Sequence, residues 1–421
     1  MDLLQWILAS IGNLGVWFTI YNRVHATQLP RRIRKATEKV CALMVVLSFG
    51  WLALSVYTCR SISIEKVRDL SWAHRYYLPL CILFGVVLTL RWCWRKYSTK
   101  SNAVIDRNIS TTDLQKRIGS SVYESGRAKL FSMIPLNQSH LLATEELTLR
   151  IPRLPAGLEG LKVAHISDFH LMRLLSREWF EEVIAETNRH QPDLVLVTGD
   201  LLDEDECLDW IDTIFGRLES EYGIYFIRGN HDRRVSSQDR LLRDLSRCGM
   251  TWVGDGKLHS LTINDCPIEI VGNEIPWFHE ADNLPSVPGS GGITNPRPFR
   301  ILLSHSPDQH PWCLQRGFDL MLAGHCHGGQ VRLPVIGPLV APSKYGVRYA
   351  GGGLSVWQHG DACQSWGFGG QVHSDFLPAG DWDFDVAEWG VVTASSRRRS
   401  DAPRTIRLAL QERHTSDPEG R

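Results

Sequence analysis

Residues that commonly bind metals recur along this chain, each group following a short apolar run. The runs occupy residues 161–166, 194–198, 224–227, 301–304 and 320–323, and their β-branched and aliphatic composition is typical of buried strands. The polar groups after them are Asp168-Phe169-His170, Gly199-Asp200, Gly229-Asn230-His231-Asp232, His305 and Gly324-His325-Cys326-His327.

Side chains at the carboxyl ends of neighbouring strands meet at one edge of a sheet. Imidazole and carboxylate ligands there suit a pair of borderline divalent metals, without any need for thiolate. A single histidine is more often an ordinary core or surface residue. Five such groups in series favour a metal centre.

The segments between the first three runs have helical periodicity. Residues 177–190 place Phe180, Val183, Ile184 and Thr187 on one side, and residues 207–218 do the same with Leu208, Ile211, Phe215 and Leu218. Strands that alternate with helices predict an α/β domain.

The first hundred residues have a different character. Residues 40–59 carry no charge and are long enough to cross a bilayer as a helix, and residues 76–90 end in the aromatic and basic pattern of a membrane interface. Residues 3–22 are uncharged but diluted by polar residues and glycine, so whether they span stays open. The alternative is a buried helical hairpin of a soluble protein.

Basic residues predict the orientation of these helices. Residues 23–39 and 91–107 are rich in Lys and Arg, which places both flanks, and the domain that follows, on the cytoplasmic side of the cell membrane.

Overall charge gives no sign of a nucleic-acid partner. The 421 residues contain 46 Lys and Arg against 46 Asp and Glu. The ten cysteines are scattered without a CxxC pair, which argues against a disulfide scaffold or a structural zinc module.

The ordered motifs DFH, GDLLD, GNHD, a histidine after a strand, and GHCHGGQ resemble the signature of calcineurin-like metallophosphoesterases. More narrowly, GHCHGGQVRLP followed by APSKYGVRYAGG is similar to the bacterial membrane-associated phosphodiesterase branch. The resemblance covers residues 150–353 and implies a four-layer αββα sandwich, in which two mixed sheets are flanked by helices.

The same resemblance implies a dinuclear metal site of Mn, Fe or Zn. Asp168, His170 and His327 would hold one ion, Asn230, His305 and His325 the other, and Asp200 would bridge them. If residues 325–327 are extended, the two histidines point to one side and Cys326 to the other.

His231 then has no metal to bind, and the resemblance implies that it faces the phosphate, with Asp232 orienting its ring. We expect Asp203 to support the site without binding metal. Arg233 and Arg234, with Arg228, are candidates to grip a second phosphate, and solvated surface charge is the alternative interpretation.

The implied reaction is hydrolysis of a phosphodiester or pyrophosphate by a hydroxide held between the two ions. Membrane helices favour a lipid-linked substrate, with a nucleotide-type one as the other candidate. The alternative function is a catalytically silent metal-binding membrane protein, whose expected mark is a lost ligand. No ligand of the motif is missing.

The predicted organisation has five parts. Residues 1–97 form a transmembrane region of two or three helices and residues 98–144 a linker. The catalytic domain spans residues 145–356. Residues 357–400 depart from the family pattern as an irregular segment, and residues 401–421 supply a closing strand and tail.

Overall fold

The structure is a computed structural model. It describes residues 3–27, 29–59, 76–98, 104–133, 139–151, 153–281, 284, 297–327, 331–333, 337–350, 354–358, 361–367 and 405–410. The described residues divide into a helical unit, which lies within residues 1–100 and 333–346, and a second unit formed by the others, which we call the catalytic unit after the predicted reaction.

The helical unit contains α1 (Leu3–His25), α2 (Arg31–Cys59) and α3 (Leu78–Ser98). Leu3–Val24 and Arg32–Leu54 are each long and apolar enough to span a membrane, and Leu78–Trp94 is a shorter apolar stretch. The segment 3–22, for which the sequence left spanning open, therefore lies in a helix that could span a membrane. The segment 76–90 overlaps Leu78–Trp94, the shortest of the three apolar stretches.

Glycine allows α1 and α3 to approach closely. A Cβ at Gly12 would lie 1.8 Å from the carbonyl oxygen of Cys81, and one at Gly85 would lie 2.0 Å from that of Leu8. Small residues at such contacts are characteristic of helices packed in membranes.

A network of polar side chains links the helices of the helical unit to one another. The amide nitrogen of Asn13 in α1 donates to Ser48 Oγ in α2 at 2.9 Å, and Tyr77 donates to Asn13 Oδ1 at 2.5 Å. By contrast, Val46 and Leu90 are 68% and 64% exposed, as expected of side chains that face lipid.

The segment 333–346 belongs to this helical unit. The side chain of Asn22, near the end of α1, donates to the backbone oxygen of Leu339 and accepts from the backbone nitrogen of Ala341, both at 3.2 Å. Asn22 is only 5% exposed, so this buried amide satisfies two backbone groups at once.

The catalytic unit is built on two mixed sheets, of seven and six strands. In spatial order the first contains β1 (Val104–Asp113), β2 (Leu141–Arg150), β15 (Thr405–Leu410), β3 (Lys162–Ile166), β4 (Leu194–Val197), β5 (Ile224–Phe226) and β6 (Met250–Trp252). The second contains β13 (Leu354–Gln358), β14 (Asp361–Gly367), β10 (Leu320–Ala323), β9 (Phe299–Ser304), β8 (Cys266–Asn273) and β7 (His259–Ile263). The chain also has β11 (Val331–Leu333) and β12 (Gly337–Val340).

Parallel pairing runs through the middle of both sheets. Strand β3 pairs with β4, β4 with β5, β8 with β9, and β9 with β10, all in parallel. Since the ligand-bearing segments follow β3, β4, β5, β9 and β10, the carboxyl ends of these strands carry the candidate site.

The sheets pack face to face through alternate residues of their strands. Val163, Leu196, Ile270, Leu303 and Leu322 belong to one buried core between them. The opposite faces are covered by helices, which are α4 (Leu114–Ile118), α5 (Gly126–Ser132), α6 (Arg177–Arg189), α7 (Ile211–Ile214) and α8 (Gln238–Arg247) in the first cluster and α9 (His310–Gln315) in the other. The predicted four-layer α/β sandwich is confirmed.

All five runs predicted as strands are strands. The predicted helix 177–190 is α6, whose N-terminus is capped by the Ser176 side chain. The segment 207–218 is not one helix: a 3-10 turn precedes α7 and another follows it. The residues predicted to face the core there are buried.

The segment 98–144, predicted as a linker, contains part of the catalytic fold. Strand β1 lies in it and pairs antiparallel with β2 over most of its length. Strand β15 lies within the predicted closing segment, next to β2 and β3. Residues 368–400, most of the predicted irregular segment, are outside the described residues.

Candidate metal centre

Three predicted ligands that follow β3 and β10 converge in one group. Asp168, His170 and His327 each offer a ligand atom within 4.8 Å of the others. Asp168 Oδ1 lies 3.9 Å from His170 Nε2 and 3.5 Å from His327 Nε2, and all three residues are buried. One carboxylate and two imidazoles on three sides of a small space could hold a divalent cation.

A second group combines residues after β4, β9 and β10. Asp200, His305 and His325 also bring ligand atoms within 4.8 Å of one another. His305 Nδ1 donates to the carbonyl oxygen of Thr198 at 2.7 Å, which leaves Nε2 on the side of the site. Asn230 Oδ1 is 3.1 Å from that Nε2, so Asn230 adjoins this second group.

Asp200 lies between the two groups. Its Oδ1 accepts from the backbone nitrogen of His231 at 2.7 Å. The other oxygen, Oδ2, is buried, has no hydrogen-bond partner among the described residues, and lies 3.1 Å from His305 Nε2 and 3.7 Å from His170 Nε2. A buried carboxylate oxygen of this kind, aimed at histidines of both groups, fits a divalent metal site.

Burial and charge shift the pKa values of this cluster in opposite directions. Burial alone would raise the pKa of Asp200, but His305, His231 and His170 hold it well below its usual range. Burial alone would lower the pKa of His305, yet Asp200 and Asp168 raise it to about 9. Burial, with the nearby His305, lowers the pKa of His325 well below its usual value.

The backbone at the ligands is left-handed at five positions. The φ angles are +54° at Asp168 and Asp200, +46° at His170 and His327, and +71° at His325. Such angles cost free energy in residues other than glycine and concentrate at functional sites. Residues 325–327 therefore turn, and the extended conformation assumed for the argument about Cys326 is wrong, although Cys326 is fully buried.

Two glycines of the motifs permit close approach to ligand carboxylates. A Cβ at Gly229 would lie 2.2 Å from Asp200 Oδ1, and one at Gly324 would lie 2.2 Å from Asp168 Oδ2. These distances are far inside van der Waals contact, so any larger residue would displace the carboxylates.

His231 forms a third group of possible metal ligands with His170 and Asp200, and its ring is held by Asp203. The Nδ1 atoms of His231 and His170 both donate to this carboxylate, at 2.5 Å and 3.2 Å. Burial raises the pKa of Asp203, but the two imidazoles outweigh burial and keep it below its usual range. One carboxylate therefore orients a candidate ligand and the candidate catalytic histidine together.

The partner expected for His231 was Asp232, and here the structure differs. Both oxygens of Asp232 are occupied by backbone amides, with Oδ1 accepting from Leu201 and Leu202 and Oδ2 from Gly229. Asp232 thus stabilises the turns that carry Asp200 and Asn230. The carboxylate that orients the ring of His231 is Asp203, which follows a different strand, β4.

The three arginines near His231 have different environments. Arg234 Nη2 lies 3.1 Å from His231 Nε2, and Arg233 is exposed. Arg228 is buried and paired with the fully buried Glu274 at 2.7 Å, so it is not available to a substrate phosphate.

Sequence reasoning missed Glu274 and Trp277, which follow β8. Ring centroids place Trp277 4.8 Å from His325 and 5.2 Å from His305. The signal that could have found them is the run GNEIPWF after an apolar strand, where polar and aromatic residues stand at the same sheet edge as the ligands.

A four-layer α/β domain with a carboxylate between two buried histidine groups defines a metal-dependent phosphoester hydrolase. The family model described as calcineurin-like phosphoesterase matches residues 161–329. A Bacillus subtilis protein named uncharacterized metallophosphoesterase YkuE is 30% identical over 221 residues, which cover 51% of this chain and 74% of the relative. The chain belongs to the calcineurin-like phosphoesterase family.

Two further relatives broaden this picture. The phosphodiesterase YaeI of Escherichia coli is 28% identical over 185 residues, 43% of this chain and 66% of that protein. A zebrafish (Danio rerio) transmembrane protein with metallophosphoesterase domain is 28% identical over 349 residues, 77% of this chain and 75% of that protein. Similarity therefore extends to bacterial proteins and to a vertebrate transmembrane protein.

Proposed function

We propose that this protein hydrolyses a phosphodiester or pyrophosphate bond with two divalent ions, and that its substrate is lipid-linked or of nucleotide type. The observation that carries the proposal is the position of Asp200 Oδ2, which is buried and lies close to histidines of both ligand groups. Mn, Fe and Zn all accept this set of nitrogen and oxygen ligands.

Asp168, His170 and His327 would hold one ion. Asn230, His305 and His325 would hold the other, with Asp200 shared between them. When bound, such a pair activates water and polarises the phosphoryl oxygen.

The residues around this centre have separate tasks. Asp203 binds Nδ1 of His231, so Nε2 is the atom that can exchange a proton with the leaving oxygen. The guanidinium of Arg234 beside that nitrogen adds positive charge where a phosphate would lie. Arg233 is exposed, and we assign it no contact with the reacting phosphate.

The membrane helices favour a substrate held at the bilayer, since an anchored enzyme meets lipid headgroups at high local concentration. The basic flanks of the helices support a cytoplasmic location for the catalytic unit, which is part of this proposal. A reporter fused after Lys100 tests this orientation, and a signal from outside the cell would refute it.

The test of the reaction uses the full-length protein in detergent micelles, loaded with Mn²⁺ and assayed with bis-p-nitrophenyl phosphate. We expect His231→Ala to lower kcat by ~10²–10⁴-fold while both metal equivalents remain bound. We expect Asp200→Ala to lower metal content as well.

The matched control is His259→Ala. His259 also pairs with an aspartate, with Nε2 2.9 Å from Asp255 Oδ1, but it lies on β7 and in neither ligand group. Unchanged activity in His231→Ala would refute the assigned mechanism. Two bound metals without turnover of any phosphate ester would favour the silent metal-binding alternative.

Substrate class is tested with the same preparation. A lipid pyrophosphate in mixed micelles is compared with a soluble nucleotide diester at equal bulk concentration. A higher kcat/KM for the lipid supports the membrane-bound substrate, and a higher value for the nucleotide contradicts it.

A further inference from the structure

Trp277 contacts the two histidines of the second ligand group. Its ring meets those of His325 and His305 at interplanar angles of 61° and 64°, in edge-to-face geometry. This arrangement is favourable between aromatic rings and restricts the rotation of both partners.

Most histidines that bind metals donate their second ring nitrogen to a hydrogen-bond acceptor, which fixes the ring. In the second group His305 follows this rule, through Nδ1 and the carbonyl of Thr198. In the first group His170 follows it through Nδ1 and Asp203. Each of these rings is therefore oriented before any metal binds.

His325 is different. Its backbone nitrogen donates to the Asp168 carboxylate at 3.0 Å, but its ring has no hydrogen bond to any residue that the structure describes. The ring contacts of His325 are with Trp277 and, at 5.0 Å, with His305. Among the described residues, packing holds this ring, whereas the rings of His170 and His305 also have hydrogen bonds.

The segment that carries Trp277 is itself firmly held. The backbone nitrogens of Trp277 and Phe278 both donate to the carbonyl of Glu274 at 3.1 Å. The Glu274 carboxylate is fully buried and accepts from Arg228, whose guanidinium stacks on the Phe278 ring at 3.8 Å. Trp277 thus lies in a turn between Glu274, which is fully buried, and Phe278, whose ring packs against the guanidinium of the buried Arg228.

We propose that Trp277 is a positioning residue for the second metal, and that its indole holds the His325 imidazole through their edge-to-face contact. The inference rests on the proposed function, because it concerns the metal that His325 would bind. It does not require that the substrate be known.

The test is a Co²⁺ titration of the full-length metal-free protein, followed by visible absorption and checked by elemental analysis. We expect Trp277→Ala to weaken binding of one equivalent by ~10-fold and to leave the other equivalent unchanged. Trp277→Phe keeps an aromatic ring and should restore most of the affinity.

Trp312→Ala is the matched control. Trp312 stacks on Phe318 on the outer side of the second sheet and bonds to Glu280, away from the ligands. Its removal should leave both equivalents at wild-type affinity. If Trp277→Ala fails to fold, Trp277→Leu replaces it, since it keeps apolar volume without an aromatic ring.

Kinetics separates positioning from a general loss of structure. At saturating metal the ligands of Trp277→Ala are all present, so kcat should recover to within about threefold of wild type while the metal concentration for half-maximal rate rises ~10-fold. Wild-type affinity for both equivalents in Trp277→Ala, or equal loss of both, would overturn the inference. If the wild type binds two metals but hydrolyses no substrate, the proposed function is contradicted. The metal titration then still decides whether Trp277 positions the second metal.

Discussion

Replacement of Asp203 by asparagine is the sharpest test of the site. The substitution keeps size and shape but removes the negative charge that accepts hydrogen bonds from His231 and His170. It also brings an amide that can present its own N–H toward an imidazole N–H. The ring of His231 would then lose its orientation or change its tautomer.

The expected magnitude follows from the two hydrogen bonds. A hydrogen bond to a charged group contributes ~1.5–3 kcal/mol. The two bonds share one carboxylate, so their contributions are not additive, and we take ~3–4 kcal/mol for the pair. That free energy corresponds to a ~10²–10³-fold lower kcat/KM.

The assay is steady-state hydrolysis of bis-p-nitrophenyl phosphate by the full-length protein at saturating Mn²⁺. Asp255→Asn serves as control, because Asp255 pairs with His259 outside the site and its loss should leave kcat/KM unchanged. A value for Asp203→Asn within about threefold of wild type would refute the view that this carboxylate orients both histidines.

Three further outcomes follow from other contacts. Hydrogen bonding to His190 and pairing with Arg117 outweigh burial and lower the pKa of Glu186 from 4.5 to about 2. The contribution of Glu186 to the free energy of unfolding is therefore complete above pH 4.5 and is lost as the pH falls toward 2. We expect Glu186→Gln to remove ~2 kcal/mol of this acid dependence, measured by unfolding from pH 6 to pH 2. Glu274→Ala leaves Arg228 buried without its ion-pair partner and should lower the free energy of unfolding by ~3–5 kcal/mol, and a loss below about 1 kcal/mol would contradict this. Cys326→Ser should retain both metal equivalents by elemental analysis, because Cys326 is in neither ligand group, and loss of one equivalent would argue that the thiol binds metal.

The buried strands could be predicted because their burial on both faces leaves continuous apolar runs. Strand β1 was not predicted, because it lies at the edge of its sheet and most of its side chains face solvent. A sequence such as VIDRNISTTD has neither an apolar run nor clear alternation, so it reads as a linker. Pairing with β2, far along the chain, supplies what the local sequence does not signal.

The candidate ligands could be predicted, but not the contacts that orient them. Asp232 is next to His231 in sequence, yet the carboxylate that reaches its ring is Asp203, from the end of another strand. Adjacent residues on a tight turn point in different directions. Trp277 escaped for a related reason, since it lies on an irregular segment where no period indicates which side faces the site.

The side-chain amide of Asn22 affects what can be concluded from a truncated protein that lacks the amino-terminal helices. Removal of the amino-terminal helices would take the Asn22 side chain away from the backbone oxygen of Leu339 and the buried backbone nitrogen of Ala341, in a segment that begins only six residues after His327 in the sequence. A truncated catalytic fragment would therefore be an altered protein, with a defect close in sequence to its last ligand. Helix α1 therefore supplies hydrogen bonds to that segment, and low activity in a fragment without the helices should first be attributed to the loss of these bonds.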